Sequence, residues 1–128
     1  MDGSRVILAA HRGEKKYHPE NTMPAFKAAY EAGVEMIETD IRMTRDGELI
    51  VMHDRSALRT CGVDCILNDM TLEEVRKLDA GCVFSEEFRG KQHHTHICRK
   101  LCTLRHPCSW HHSRKNRHRN CSKIYRTV

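Results

Sequence analysis

From Phe88 to Val128 the sequence contains no aspartate or glutamate. That absence removes from the last third of the chain every carboxylate that could ligate a metal or shuttle a proton. Aromatic residues are only 5% of the 128 positions, so large buried anchors are scarce. No stretch approaches the roughly 18–20 consecutive apolar residues of a membrane span, so none is expected. The opening MDGSRVILAAHRG carries an apolar run too short and too interrupted for a secretory signal. The seven cysteines are odd in number and irregular in spacing, which argues against a disulfide framework. A reducing, cytoplasmic setting is the expectation, with cysteines as thiols or ligands.

The net charge of +5 hides a strong asymmetry. Residues 1–87 hold eleven Lys and Arg against seventeen Asp and Glu, a balance of −6, while residues 88–128 hold eleven basic residues, a balance of +11. Such a contrast fits a basic nucleic-acid tail, or two segments of different origin. The stretch from His93 to Cys121 holds seven of the ten histidines and four of the seven cysteines.

The front of the chain reads as alternating α and β. RVILAA (Arg5–Ala10) predicts a short, fully buried strand of a parallel sheet. NTMPAFKAAYEAGV predicts a helix, with Asn21 or Thr22 as N-cap, Pro24 in the first turn, and Gly33 at the end. EMIETDIRM (Glu35–Met43) predicts a second strand, RDG (Arg45–Gly47) a turn, and ELIVMHD (Glu48–Asp54) a third strand. TLEEVRKLDAG (Thr71–Gly81) predicts a helix with a Thr71/Glu74 capping box. This order argues for an α/β fold with a parallel component. After Gly90 no apolar periodicity persists, and disorder is the expectation.

Four short motifs carry candidate chemistry. HRG (His11–Gly13) follows the first strand, where α/β folds place ligands, and offers a proton-transfer group beside a bidentate cation. A structural histidine and a surface arginine are the plain alternative. In ETD, Glu38 and Asp40 are two apart in a strand and so face one side. Together they suit a hard cation such as Mg²⁺ or Ca²⁺; a solvated edge strand is the alternative. HD (His53–Asp54) ends the third strand, so two strand-end histidines could serve as acid and base, unless His53 is simply a loop residue. HPENT (His18–Thr22) reads as a helix start.

Taken together, HRG, PENT.PAF..A...G, E.D...T.DG...V.HD and LDAG resemble, in order and spacing, the glycerophosphodiester phosphodiesterase family over about residues 5–90. The resemblance implies the N-terminal part of a TIM (β/α)₈ barrel, with the start of the family's insertion after the second histidine. It implies that His11 and His53 are the acid/base pair, that Arg12 binds phosphate, and that Glu38 and Asp40 ligate a divalent cation, Mg²⁺ or Ca²⁺. The implied reaction is hydrolysis of a glycerophosphodiester to glycerol 3-phosphate and an alcohol.

The sequence departs from the family beyond that point. The family's third carboxylate ligand, usually in a Glu-x-Lys pair, has no counterpart after Glu87. Three strands cannot close a barrel, so this polypeptide alone is expected to fold poorly and to have little or no activity. Residues 1–90 are therefore read as part of a phosphodiesterase domain and residues 91–128 as a basic Cys/His-rich tail. As a zinc site, Cys98-x3-Cys102 with His112-x5-His118 encloses nine residues where about twelve are expected. A basic arm at Arg114–Arg119 would bind phosphates without sequence specificity. A noncatalytic zinc or nucleic-acid binder is thus the alternative function. A third reading is a frame change near Lys91. The run His94–Arg99 permits codons that, read from their second base, give the Ile-Pro-Thr with which the family commonly continues.

Overall fold

The computed structural model describes residues 6–93, 110–113 and 122–127. The elements are β1 (Ala9–His11), α1 (Met23–Glu31), β2 (Met36–Met43), β3 (Leu49–Val51), α2 (Leu58–Cys61), a 3-10 turn (Leu67–Asp69), α3 (Leu72–Val75), β4 (Trp110–Ser113) and β5 (Ser122–Thr127). β1 pairs parallel with β2, with Ala10 opposite Ile37 and His11 opposite Glu38. β2 turns back through Gly47, at φ +85°, into β3, which pairs with it antiparallel. Thr44 Oγ1 donates to Asp46 Oδ1 at 2.6 Å and braces that turn.

α1 begins at Thr22, whose extended backbone makes it the N-cap, with Pro24 in the first turn. The Thr22 hydroxyl does not cap; it donates to Pro19 O at 2.6 Å. Ala25, Phe26 and Ala29 form the buried stripe, and Phe26 and Ala29 pack on Ile37 and Val51. Full burial of Phe26 contributes on the order of 2–3 kcal/mol. α1 thus covers one face of the β1–β2–β3 sheet, and the alternation of a strand turns His11, Glu38 and Asp40 to the other.

A second apolar cluster joins Ile50 and Met52 to Ala57, Cys61, Leu67, Val75 and Leu78 of the segment after β3. That segment is tied to the β2–β3 turn, since the Leu72 N–H donates to Asp46 Oδ1 at 3.0 Å. The Thr71/Glu74 capping box forms as the sequence predicts. The helix it starts is shorter than the predicted span to Gly81. Past Val75 the bonds tighten to three-residue spacing, with Lys77 N–H on Glu74 O and Leu78 N–H on Val75 O.

Two further expectations differ from the structure. The opening run is not a fully buried strand: Val6, Ile7 and Leu8 are exposed and β1 begins only at Ala9. A parallel strand is buried where layers cover both faces, and α1 covers one. Beyond Gly90 the sequence predicts disorder, yet Trp110–Ser113 and Ser122–Thr127 are paired strands, and β5 runs antiparallel along β2 from Met36 to Ile41. A strand edge offers unpaired N–H and C=O groups that another strand satisfies regardless of side-chain pattern. A TIM-barrel strand on that edge would run parallel to β2. Cys98, Cys102, His118, Arg114–Arg119 and the His94–Arg99 run lie outside the described residues.

Candidate active site

The site is assembled where β1 ends. His11 is the last residue of β1, and Arg12 leaves the strand with φ +63° while its N–H donates to Glu38 O at 2.8 Å. Asn21 has φ +57°, and its N–H donates to Arg12 O at 3.0 Å. Two non-glycine residues in the left-handed region, bonded to each other, concentrate backbone strain of about 1 kcal/mol or more apiece at this point. Gly13 follows at φ +85°, and a Cβ there would lie 2.7 Å from the Ala25 carbonyl carbon. The glycine of HRG is therefore required by conformation and by the close approach of α1.

Charge alternates across the cluster. Arg12 Nε lies 3.1 Å from Asp40 Oδ2, and Arg12 Nη1 lies 3.3 Å from Glu20 Oε1. Arg59, on α2, reaches the same Glu20 through Nη2 at 2.6 Å and contacts Asp54 Oδ2 through Nε at 2.5 Å. Asp54 Oδ1 lies 2.6 Å from His53 Nδ1. The sequence Asp40, Arg12, Glu20, Arg59, Asp54, His53 is thus one continuous chain of opposite charges and hydrogen bonds. Burial would raise the Glu20 carboxyl, but Arg59 and then Arg12 outweigh it and hold its pKa below the ordinary value. Burial likewise opposes Arg59 and His53 at Asp54, and loses.

The two histidines are held differently. A carboxylate can only accept, so His53 donates from Nδ1 to Asp54, and its neutral form carries the lone pair on Nε2. His11 Nδ1 lies 3.1 Å from Lys15 Nζ, and an ammonium can only donate. Neutral His11 therefore carries its proton on Nε2, the nitrogen 3.7 Å from Glu38 Oε2. His18 is engaged elsewhere, with Nδ1 2.8 Å from Glu14 Oε2.

Asp40 is fully buried, and its Oδ1 has no hydrogen-bond partner among the described residues. An unpaired buried carboxylate oxygen is costly, and a hard cation would relieve that cost. Among the described residues no three His, Cys, Asp or Glu side chains form a group able to hold a metal. Glu38 and Asp40 fit a cation such as Mg²⁺, which binds through one or two carboxylates and keeps waters or phosphate oxygens as its other ligands. A pocket of about 190 Å³ is lined by residues that include Lys15, Glu20, Arg59, Val83 and Phe84.

Of the five residues singled out in the sequence, His11, Arg12, Glu38 and Asp40 are gathered at one strand end. His53 joins them through Asp54, Arg59, Glu20 and Arg12. Sequence reading missed Glu20 and Arg59, and it gave Asn21 only a capping role. The PENT motif held a signal for Glu20 and Asn21, but a helix-start reading accounted for it. Nothing in the local sequence marks Arg59, whose partner Glu20 is 39 positions away.

A parallel β1–β2 pair backed by α1, with charged side chains gathered at the strand end, defines an α/β protein of the TIM-barrel type. The family model described as glycerophosphoryl diester phosphodiesterase matches residues 11–122, and the chain belongs to that family. It is 47% identical over 88 residues to a glycerophosphodiester phosphodiesterase of Caldanaerobacter subterraneus, covering 69% of this chain and 36% of that protein. It is 39% identical over 104 residues to one from Bacillus subtilis, covering 81% and 36%. A crystal structure of glycerophosphodiester phosphodiesterase from Agrobacterium tumefaciens superposes with TM-score 0.69 at 33% identity, covering 73% of this chain and 40% of that one. An Oleispira antarctica phosphodiesterase, solved with its product sn-glycerol-3-phosphate, gives TM-score 0.68 at 28% identity, covering 72% and 37%. The chain therefore spans about a third of the length of the curated relatives it matches. The family match runs past Lys91 to residue 122.

Proposed function

We propose that this chain carries the histidine–arginine–carboxylate part of a site that hydrolyses glycerophosphodiesters to glycerol 3-phosphate and an alcohol. The observation that supports it best is the 3.1 Å pairing of Arg12 with the buried Asp40, beside His11 and Glu38. Arg12 sits where a phosphodiester anion requires positive charge, and its planar fork suits non-bridging oxygens. A divalent cation, Mg²⁺ or Ca²⁺, held by Glu38 and Asp40 would supply further positive charge to the same oxygens.

The histidine tautomers suggest a division of labour. His53, with its lone pair on Nε2, removes the proton from the glycerol 2-hydroxyl, which attacks phosphorus. His11, with its proton on Nε2, delivers it to the departing alkoxide. The cyclic phosphate is then opened by water with the two roles exchanged. Asp54 keeps His53 in the tautomer this requires. The glycerophosphodiester is the small-molecule partner of this reading. Among the described residues no helix is long and apolar enough to cross a membrane. Among the described residues Cys65 and Cys82 are thiols, in keeping with a reducing, cytoplasmic location.

Release of glycerol 3-phosphate from a glycerophosphodiester by the purified chain with Mg²⁺ or Ca²⁺, followed by ³¹P NMR, tests the reading. His11→Ala and His53→Ala should each lower the rate of release by roughly 10²–10⁴-fold. Turnover that survives either substitution, or that ignores removal of the cation by chelation, would overturn it.

A further inference from the structure

The mechanism above leaves Asn21 without a role, although the fold keeps this residue in an unfavourable conformation. Its side chain is buried and lies between two neighbours on β2. Asn21 Nδ2 donates to Asp40 Oδ2 at 3.4 Å, and Thr39 Oγ1 donates to Asn21 Oδ1 at 2.8 Å. A carboxylate can only accept, so the amide nitrogen must face Asp40 and the amide oxygen must face Thr39. The Thr39 hydroxyl therefore fixes the direction in which the amide donates. Arg12 Nε approaches the same Asp40 Oδ2 at 3.1 Å. One oxygen of Asp40 is thus engaged from two sides, while Oδ1 is buried with no hydrogen-bond partner among the described residues.

We infer that Asn21 is a positioning residue for the cation site: it pins Asp40 through Oδ2 so that Oδ1 is presented to a divalent cation. The inference rests on reading Glu38 and Asp40 as cation ligands. Groups that orient a ligating carboxylate typically contribute about 10–100-fold to metal affinity. Asparagine tolerates the left-handed conformation better than most residues, so backbone geometry alone could account for it. Glycine accepts φ +57° without strain and lacks the amide, so Asn21→Gly separates the two explanations.

The measurement is calorimetric titration of the full chain with Ca²⁺ and with Mn²⁺ as a Mg²⁺ surrogate. Asn21→Gly is expected to bind about tenfold more weakly than the parent chain, with an unchanged circular dichroism spectrum. Asp40→Asn is expected to lose more. In the Asp40→Asn background, Asn21→Gly should cost nothing further, because the amide acts through that carboxylate. Thr39→Val, which removes the hydroxyl that orients the amide, should weaken binding in the same direction and gives a second route if Asn21→Gly does not fold. Parent-like affinity in both Asn21→Gly and Thr39→Val overturns the inference, as does a full additive loss in the double variant. Parent-like affinity in Asp40→Asn removes the cation reading itself, and this inference with it.

Discussion

Arg59 and Glu20 form a two-point ion pair, with Nη2 to Oε1 at 2.6 Å and Nη1 to Oε2 at 3.1 Å. The same guanidinium contacts Asp54, so a residue of the segment after β3 ties the loop before α1 to the neighbour of His53. Arg59 thereby connects the two halves of the site, and its own pKa is raised first by Glu20 and then by Asp54.

Loss of this link should be visible in acid. The folded pKa values of Glu20 and Asp54 lie below their ordinary values of 4.5 and 3.8. The stabilisation they bring is therefore complete above those values and is lost as pH falls through the lowered folded ones. Arg59→Leu should cost about 1 kcal/mol at pH 7, a figure kept low because Arg59 is half exposed. The difference from the parent should shrink below about pH 4. Urea unfolding at pH 7 and in acid measures it, and an equal deficit at both would contradict the assignment.

His53 should report the same link spectroscopically. Nitrogen chemical shifts of the neutral ring should show the proton on Nδ1 in the parent chain and a mixture of tautomers in Asp54→Ala. A ring already mixed in the parent would remove the basis for assigning His53 as the base.

Phe26 is wholly buried between α1 and the sheet that carries the site. Phe26→Ala should destabilise the chain by about 3–5 kcal/mol, read from the denaturant midpoint. A loss under about 1 kcal/mol would mean that α1 is not packed on β2 as described.

Burial pushes the Cys61 thiol up to about 11. At pH 8 it is almost wholly protonated and should resist iodoacetamide until the chain unfolds. Mass mapping of alkylated peptides with and without urea checks this, and rapid native labelling of Cys61 would contradict its place in the core.

The basic tail invites a test outside the protein. We propose that a frame change near Lys91 accounts for the missing carboxylates and the lost periodicity. The other reading frames of the coding DNA from codon 90 onward should then encode Ile-Pro-Thr and a later Glu-x-Lys. Their absence from both alternative frames would end the idea.

What the sequence determined by itself was local. The 2-residue spacing of Glu38 and Asp40 puts both carboxylates on one side of a strand, and the Thr71/Glu74 box starts a helix from residues three apart. The β2–β3 hairpin follows from the turn chemistry of Arg45–Gly47, and the motif order from HRG to HD was enough to reach the family. Partnership across distance was decided only by the tertiary structure. Arg59 meets Glu20 because the segment after β3 packs its apolar side chains on Ile50 and Met52, and no periodicity in either residue's neighbourhood encodes that meeting. The exposure of Val6–Leu8 and the pairing of β5 with β2 were likewise beyond the sequence. Burial depends on which layers cover a strand, and an open edge accepts a partner through backbone groups that every residue shares. Asn21 shows both levels in one residue. Its place before α1 was legible as a helix start, while its bridge between Thr39 and Asp40 exists only because the fold brings β2 beside it.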